Sequence, residues 1–402
     1  MQKPTISIHQ STNLPRLVVT DLDGTLLNLQ HTITRRSIDA LSYAQQYHLS
    51  SVSNDSPDFA VATNDSPSHH RHPIQIMIAS GRSPRSIQKV IDLFEGHMIP
   101  DAVICCNGAL NYNPRTKVIS YPQFIPHDQT LLMVEQLRSE ILNYGTRRSR
   151  VCPPSKGKDS QADDDDLKPL SVHDNTDDDQ LMAGRPGFSC EVIWITGTAL
   201  SGEPIYDQDT SFVCDRTWEL QRKHTIYYKY TVVEGTMEEF IKSLQHADAV
   251  GGAGRRGGII KLMALDRNRS APDVFDSLPE NLRPASPSTM SSAGVVGAEH
   301  GSPDSSSPQV SVTYSGNYFL EMSAAGVSKG LGLAKYCEAH QIPREEVVAF
   351  GDLLNDAEML QFAGLGLCMG NGHEEMKKLA DRVIGTNAED GVAKEIESWF
   401  TS

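Results

Sequence analysis

The sequence predicts an α/β protein: a parallel-sheet core with a second α/β unit inserted into it. Three observations lead there. The first 110 residues alternate strand, helix, strand, helix, strand, the pattern of parallel strands joined by crossover helices. The alternation resumes near residue 323 and continues to the C-terminus. The stretch between has a different character, with its own strands and helices and two polar tracts.

In chain order, residues 1–15 read as a loose polar leader, and Arg16 to Thr20 as a first buried strand. Thr34 to Tyr47 carries Ile38, Leu41 and Tyr43-Ala44 near helical spacing, with Thr34 as a possible cap. Residues 48–73 break every period and repeat Asn-Asp-Ser-Pro, so they read as a surface insert. Ile74 to Ala79 is a second strand, Pro84 to Phe94 a helix, and Asp101 to Cys106 a third strand. The inserted unit is expected over 111–322. Asn113-Pro114-Arg115-Thr116 looks like a hairpin turn at its start. Helices are expected at Asp128 to Tyr144 and Thr236 to Ala247, and strands at Phe188 to Thr196, Thr225 to Val233 and Gly258 to Leu265. Residues 152–185 and 270–310 read as disordered inserts, the latter with ten Ser and six Pro among 41 residues. Tyr318 to Met322 is expected to return to the core, which then runs through a helix at Gly330 to His340 and a strand at Val347 to Phe350. A helix at Asp356 to Ala363, strands at Gly364 to Met369 and Arg382 to Ile384, and a helix at Gly391 to Phe400 complete it.

Composition narrows the class. With 402 residues and 39% hydrophobic content, the chain can bury two or three domain cores. No apolar run is long enough to span a bilayer, so no membrane association is expected. Met1 to Pro15 lacks an apolar segment, so no secretory signal is expected. Seven cysteines without a Cys-x-x-Cys pair fit reduced thiols in a cytoplasmic protein. The net charge of -15 says little about a substrate, because Asp159 to Asp179 alone holds nine Asp against one Lys. The largest basic cluster is Arg147-Arg148-Ser149-Arg150, so nucleic acid is not expected as a partner.

Four positions carry the chemistry, each at a strand's carboxyl end or a helix start: Asp21-x-Asp23-Gly24, Ser80, Lys329 and Asp352-x-x-x-Asp356. Alone, Asp-x-Asp-Gly could be a simple turn. In a parallel sheet, however, all such ends open on one face, where ligands bind. That face would gather carboxylates able to hold Mg²⁺, with an ammonium and a hydroxyl able to hold phosphate oxygens. Charge of both kinds is what phosphoryl transfer requires. Lys329 at a helix start opposes the helix dipole, which implies a fixed partner. Two further patterns carry less. His69-His70-Arg71-His72 lies in an insert without a rigid scaffold for a metal. Gly252-Ala253-Gly254-Arg255-Arg256-Gly257 fits a dinucleotide pattern, but its helix precedes the strand instead of following it, so it reads as a loop.

Four motifs together resemble the haloacid dehalogenase (HAD) superfamily, in its Cof-type branch with a C2 cap. They are Thr20-Asp21-Leu22-Asp23-Gly24-Thr25-Leu26, Ala79-Ser80-Gly81-Arg82, Gly326-Val327-Ser328-Lys329-Gly330 and Phe350-Gly351-Asp352-Leu353-Leu354-Asn355-Asp356. Asn107-Gly108-Ala109 and Met369-Gly370-Asn371 match lesser signatures of the branch. The resemblance implies a Rossmann-like core with an α/β cap domain that closes over it. It implies a Mg²⁺-dependent phosphatase acting on a small phosphorylated metabolite through an aspartyl-phosphate. Asp21 would be the nucleophile and Asp23 the general acid/base. Asp21, the Asp23 carbonyl and Asp352 would ligate Mg²⁺, with Asp356 beside the metal, directly or through water. Ser80 and Lys329 would hold phosphoryl oxygens. Asn355 would order its loop and touch phosphate, and Gly81, Arg82, Asn107 and Gly108 would contact substrate or phosphate. A phosphomutase on the same fold and a non-catalytic regulatory protein are the alternatives.

Overall fold

The computed structural model describes residues 14–52, 73–148, 185–202, 204–221, 230–250, 256–266, 269–278, 310–314 and 318–401. The chain divides into two compact units, Met1–Pro122 with Val327–Ser402, and Gln123–Gly326.

The discontinuous unit is built on a single sheet. Its first strand, β1 (Leu17–Asp21), is buried along its whole length. Such a run of β-branched and apolar residues suits a strand covered on both faces. The strands β2 (Gln75–Ala79) and β3 (Ala102–Cys105) lie to one side of β1. To the other side lie β13 (Val347–Gly351), β14 (Leu365–Cys368) and β15 (Arg382–Val383), and all six strands are parallel. The chain therefore reverses its direction of travel across the sheet at β1. A crevice opens at such a switch point, at the carboxyl ends of β1 and β13.

One face of the sheet packs Leu17, Val19, Met77 and Ile104 against Leu333, Tyr336, Met359 and Leu360. The alternate residues Val18, Ile76, Ile78 and Val103 are buried on the opposite face. The helix α1 (Arg35–Val52) follows β1 and buries Ile38, Leu41 and Ala44. It runs five residues into the expected insert, since the first Gly or Pro after Tyr47 is Pro57.

The assignment of strands to the two sheets differs from expectation in two places. The hairpin expected to open the inserted unit belongs to the core sheet: β4 (Leu110–Asn113) pairs antiparallel with β3, and β5 (Val118–Ser120) with β4. Ladder hydrogen bonds, not the change in composition, decide where a strand belongs. Conversely β12 (Phe319–Ala324), expected to return the chain to the core, is a strand of the other sheet, between β10 (Gly257–Leu265) and β11 (Val310–Thr313).

That second sheet runs, among the described residues, in the order β11-β12-β10-β6-β8-β9, with β7 (Pro204–Tyr206) added on β6. Here β6 spans Gly187–Thr198, β8 Ser211–Cys214 and β9 Tyr230–Val232. Helices α3 (His127–Arg148) and α5 (Met237–Val250) lay Val134, Leu137, Ile241 and Leu244 on its Cys190, Val192, Leu262 and Met322. Between them in sequence, α4 (Arg216–Gln221) follows β8.

The Ser- and Pro-rich tract begins with a helix that composition did not suggest, α6 (Ala271–Ser277). Ser270 caps it by accepting the Asp273 amide, and Pro272 stands in its first turn, both ordinary helix-start signals. The remainder of the tract, 279–309, lies outside the described residues, as do 1–13, 53–72 and 149–184, including His69-His70-Arg71-His72. Most of the Gly252–Gly257 pattern does too; the helix α5 ends at Val250 and Gly257 opens β10. Among the described residues, no helix is long and apolar enough to cross a membrane.

Candidate active site

Each strand that ends at the crevice delivers a polar side chain there. β1 ends in Asp21, and the chain turns at once through Leu22-Asp23-Gly24. Gly24 has φ +88°, and a Cβ there would stand 2.2 Å from Asp352 Oδ2. Only glycine allows this turn and this approach. β13 ends at Gly351 and presents Asp352. A helical turn, Leu354–Asp356, then brings Asp356 back beneath the strand end. Oxygens of Asp21, Asp352 and Asp356 come within 4.8 Å of one another, all in buried residues.

Like charges so close need a cation, and Lys329 supplies one from the first position of α7 (Lys329–Ala339). Its Nζ donates to Asp21 Oδ1 at 2.5 Å and to Asp356 Oδ1 at 2.7 Å, and the residue is only 1% exposed. Burial pulls the lysine's pKa down, but Asp21 and Asp356 outweigh it and hold the ammonium above its ordinary value. The unfavourable placement of a cation at a helix start thus has its fixed partners. Ser328 caps α7, accepting the Leu331 amide at 3.1 Å and donating to Glu358.

The carboxyls are not equivalent. Burial pushes the Asp21 carboxyl well above the usual range, and its neighbours Asp356 and Asp352 add to this while Lys329 opposes it. Asp352 is raised to about 6, by burial first and by Asp356 second. The hydroxyl of Thr25 donates to its Oδ1 at 3.0 Å. Asp356 has both oxygens engaged: Oδ1 by Lys329, and Oδ2 by the amides of Asp352 and Leu353 at 3.0 and 3.1 Å. Asp356 is therefore a brace that shapes the 352–356 turn and shares the ammonium.

Ser80, one residue past β2, is buried, and its Oγ accepts the Arg82 amide at 3.1 Å. Past β3, Asn107 takes a left-handed conformation at φ 55°, and Gly108 follows at φ +105°. A Cβ on Gly108 would fall 1.9 Å from the Ser328 carbonyl oxygen, so the loop presses directly against the start of the lysine helix. Gly81 lies against Asn107, whose Oδ1 would be 3.1 Å from an added Cβ. Asn355 Nδ2 reaches the same Oδ1 at 3.4 Å. Arg82 reaches Asp23: its Nε and Nη2 donate to the two carboxylate oxygens, at 3.2 and 2.6 Å.

The site residues singled out in the sequence thus gather at the carboxyl edge of one sheet: Asp21 ends β1, Lys329 opens α7, and the others stand on the turns that follow the strands. Several supporting residues were not singled out. Thr25 lies inside a quoted motif without a role. Asn371 Nδ2 donates to the Gly24 carbonyl at 2.8 Å, while its Oδ1 accepts the amide of Asn387 at 2.9 Å. Asn387 in turn donates to the Leu27 carbonyl at 2.8 Å. This chain of amides ties the loop after β1 to the turns around β15. Asn371 could be found from its Met-Gly-Asn turn, but no local pattern points to Asn387.

The oxygen set of Asp21 and Asp352, with the main chain at Asp23, matches the hard donors a small divalent cation prefers. The gap that Gly24 leaves beside Asp352 Oδ2 gives that carboxylate room to serve as a ligand.

A profile of the haloacid dehalogenase-like hydrolase family matches residues 18–181 and 300–396, more than half of the chain. A 5-amino-6-(5-phospho-D-ribitylamino)uracil phosphatase of Bacillus subtilis, YitU, is 44% identical over 84 residues, which are 21% of this chain and 31% of that protein. A pyridoxal phosphate phosphatase of Escherichia coli, YbhA, is 44% identical over 79 residues, 20% of this chain and 29% of that protein. The chain thus spans about a third of the length of the curated relatives it matches. A haloacid dehalogenase-like hydrolase structure from Bacteroides thetaiotaomicron superposes with a TM-score of 0.54 at 20% identity, covering 95% of this chain and 98% of that one. That likeness concerns the fold alone. With its profile match, its sheet order and its acid–lysine cluster at the strand ends, the chain belongs to the haloacid dehalogenase-like hydrolase family.

Proposed function

We propose that this protein is a Mg²⁺-dependent phosphomonoester hydrolase that acts on a small phosphorylated metabolite through an aspartyl-phosphate. The observation that carries this reading is the buried Asp21–Lys329–Asp352–Asp356 cluster at the switch point of the sheet. The named activities of the relatives, both phosphatases of small phosphorylated molecules, support it.

In this reading Asp21 attacks phosphorus and the ester P–O bond breaks. The leaving oxygen takes a proton from the Asp23 carboxyl. Water then attacks the aspartyl-phosphate, giving its proton to Asp23, and phosphate and free Asp21 return. Lys329 and Ser80 bind the phosphoryl oxygens, and the loop at Asn107 and Gly108 bounds the space they occupy. Asp21, Asp352 and the Asp23 carbonyl would hold Mg²⁺, with Asp356 acting behind them. Bound there, Mg²⁺ would supply positive charge against the transferring group. The thiols fit a cytoplasmic protein: the six described cysteines are all free and buried.

A panel of phosphomonoesters, assayed for released phosphate with Mg²⁺ and with chelator, tests the reading on wild type and Asp21→Asn. Turnover that needs both Mg²⁺ and Asp21 is expected. A wild type as inert as the variant across the panel would sink it.

A further inference from the structure

We propose that Arg82 is the positioning residue of the general acid: it aims the Asp23 carboxyl at the leaving oxygen, and does not bind phosphate. The proposal rests on the reading of Asp23 as the proton donor. Among the described residues, Arg82 is the side chain that hydrogen-bonds the Asp23 carboxylate. The contact is bidentate, Nε to Oδ2 at 3.2 Å and Nη2 to Oδ1 at 2.6 Å. A planar fork of this kind fixes the plane of a carboxylate as well as its position.

Asp23 needs such fixing. It lies past the end of β1, and its side chain is 50% exposed. An exposed carboxylate in a turn has no packing to choose its rotamer. Arg82, by contrast, is anchored at its main chain. Its amide donates to Ser80 Oγ, and its carbonyl accepts the Cys106 amide at 2.9 Å. Ser80 is itself tied to β3 by its amide, which donates to the Ile104 carbonyl at 2.9 Å. The fork is thus built out from two strand ends onto the loop of a third. It leaves proton transfer open, because each carboxylate oxygen keeps a second lone pair.

A positioning role makes a specific kinetic prediction. Protonation matters most when the leaving group is a poor one. Phenol, with a pKa of about 10 like that of tyrosine, needs the proton far more than the acidic p-nitrophenol. The test compares kcat/KM for phenyl phosphate and p-nitrophenyl phosphate, since this ratio reports the step that expels the phenol. Loss of alignment is expected to lower the phenyl-to-p-nitrophenyl ratio in Arg82→Met by about tenfold or more, within the share of general acid catalysis. Asp23→Asn should show the same selective loss, and adding Arg82→Met to it should change the ratio no further. Arg82→Lys keeps the charge without the fork and should restore little of the ratio. The ion pair is half-exposed, so the variants should fold, which circular dichroism checks.

Equal losses on both esters, with raised KM and recovery in Arg82→Lys, would make Arg82 a phosphate contact and overturn the proposal alone. A wild type inert toward both esters with Mg²⁺ would overturn the proposed function, and this proposal with it.

Discussion

Replacing Lys329 with methionine keeps most of the side-chain volume and removes the charge. In the wild type one buried ammonium serves two carboxylates, at 2.5 and 2.7 Å. Without it, three acids with oxygens within 4.8 Å share a closed site. Removing one partner of a buried ion pair costs about 3–5 kcal/mol. The loss should not double here, because the acids can take up protons. Burial already raises the Asp21 carboxyl, and Lys329 is what holds it down. In the variant it rises further. The folded variant then binds protons that the unfolded chain does not, so its stability falls as pH rises. The expected deficit against wild type is about 3–5 kcal/mol near pH 8, shrinking to roughly 1–2 kcal/mol near pH 5. Urea unfolding followed by circular dichroism, with chelator present, measures both. Adding Asp356→Asn should recover about 1 kcal/mol or more near pH 8 by removing one of the stranded charges. A deficit that is the same at both pH values, or a double variant no more stable than Lys329→Met, would refute the reasoning.

Other outcomes follow from the same geometry. Gly108→Ala places a methyl 1.9 Å from the Ser328 carbonyl oxygen at a positive φ, and should destabilise the chain by about 2–4 kcal/mol in urea unfolding. In the proposed site, Mg²⁺ affinity should fall at least tenfold per pH unit below about 6, because Asp352, raised to about 6, and Asp21, raised well above the usual range, must each lose a proton before acting as ligands; calorimetric titration checks this. Asp215 is also raised to about 6, by burial, although the amides of Trp218 and Phe188 and the charge of Arg138 oppose it. Its folded pKa lies above the unfolded one, so wild-type stability should fall as pH rises from about 4 to 6. Asp215→Asn keeps the acceptor for both amides and should lose that slope, worth up to about 3 kcal/mol by linkage.

The core strands were legible because a parallel strand covered on both faces reads as an unbroken apolar run. That is why Leu17–Asp21, Gln75–Ala79 and Val347–Gly351 match the expected spans within a residue or two. Which sheet a strand joins was not legible. Phe319–Ala324 has the same local pattern wherever it pairs, and only its ladder with β10 and β11 assigns it. The first residues of the site were legible for a different reason, since each motif clusters several polar residues at a strand end. Arg82 was visible but its target was not, because the ion pair to Asp23 spans 59 residues of sequence. Asn387 was invisible: it acts through main-chain groups of Leu27 and the side chain of Asn371, leaving no pattern of its own.

The salt bridge between Asp21 and Lys329 joins residues 308 positions apart. This distance has a consequence for synthesis. A ribosome that has finished β1, β2 and β3 must still make the whole of Gln123–Gly326 before Lys329 and β13 emerge. Until then β1 is an open sheet edge, of the kind that other chains can pair with. Its terminal carboxylate also waits without the cation that later neutralises it. The core can therefore close only when the chain is nearly complete, and contacts this remote form slowly. A chain stopped anywhere short of Lys329 would retain Asp21 and yet lack both a finished sheet and the ammonium that faces it.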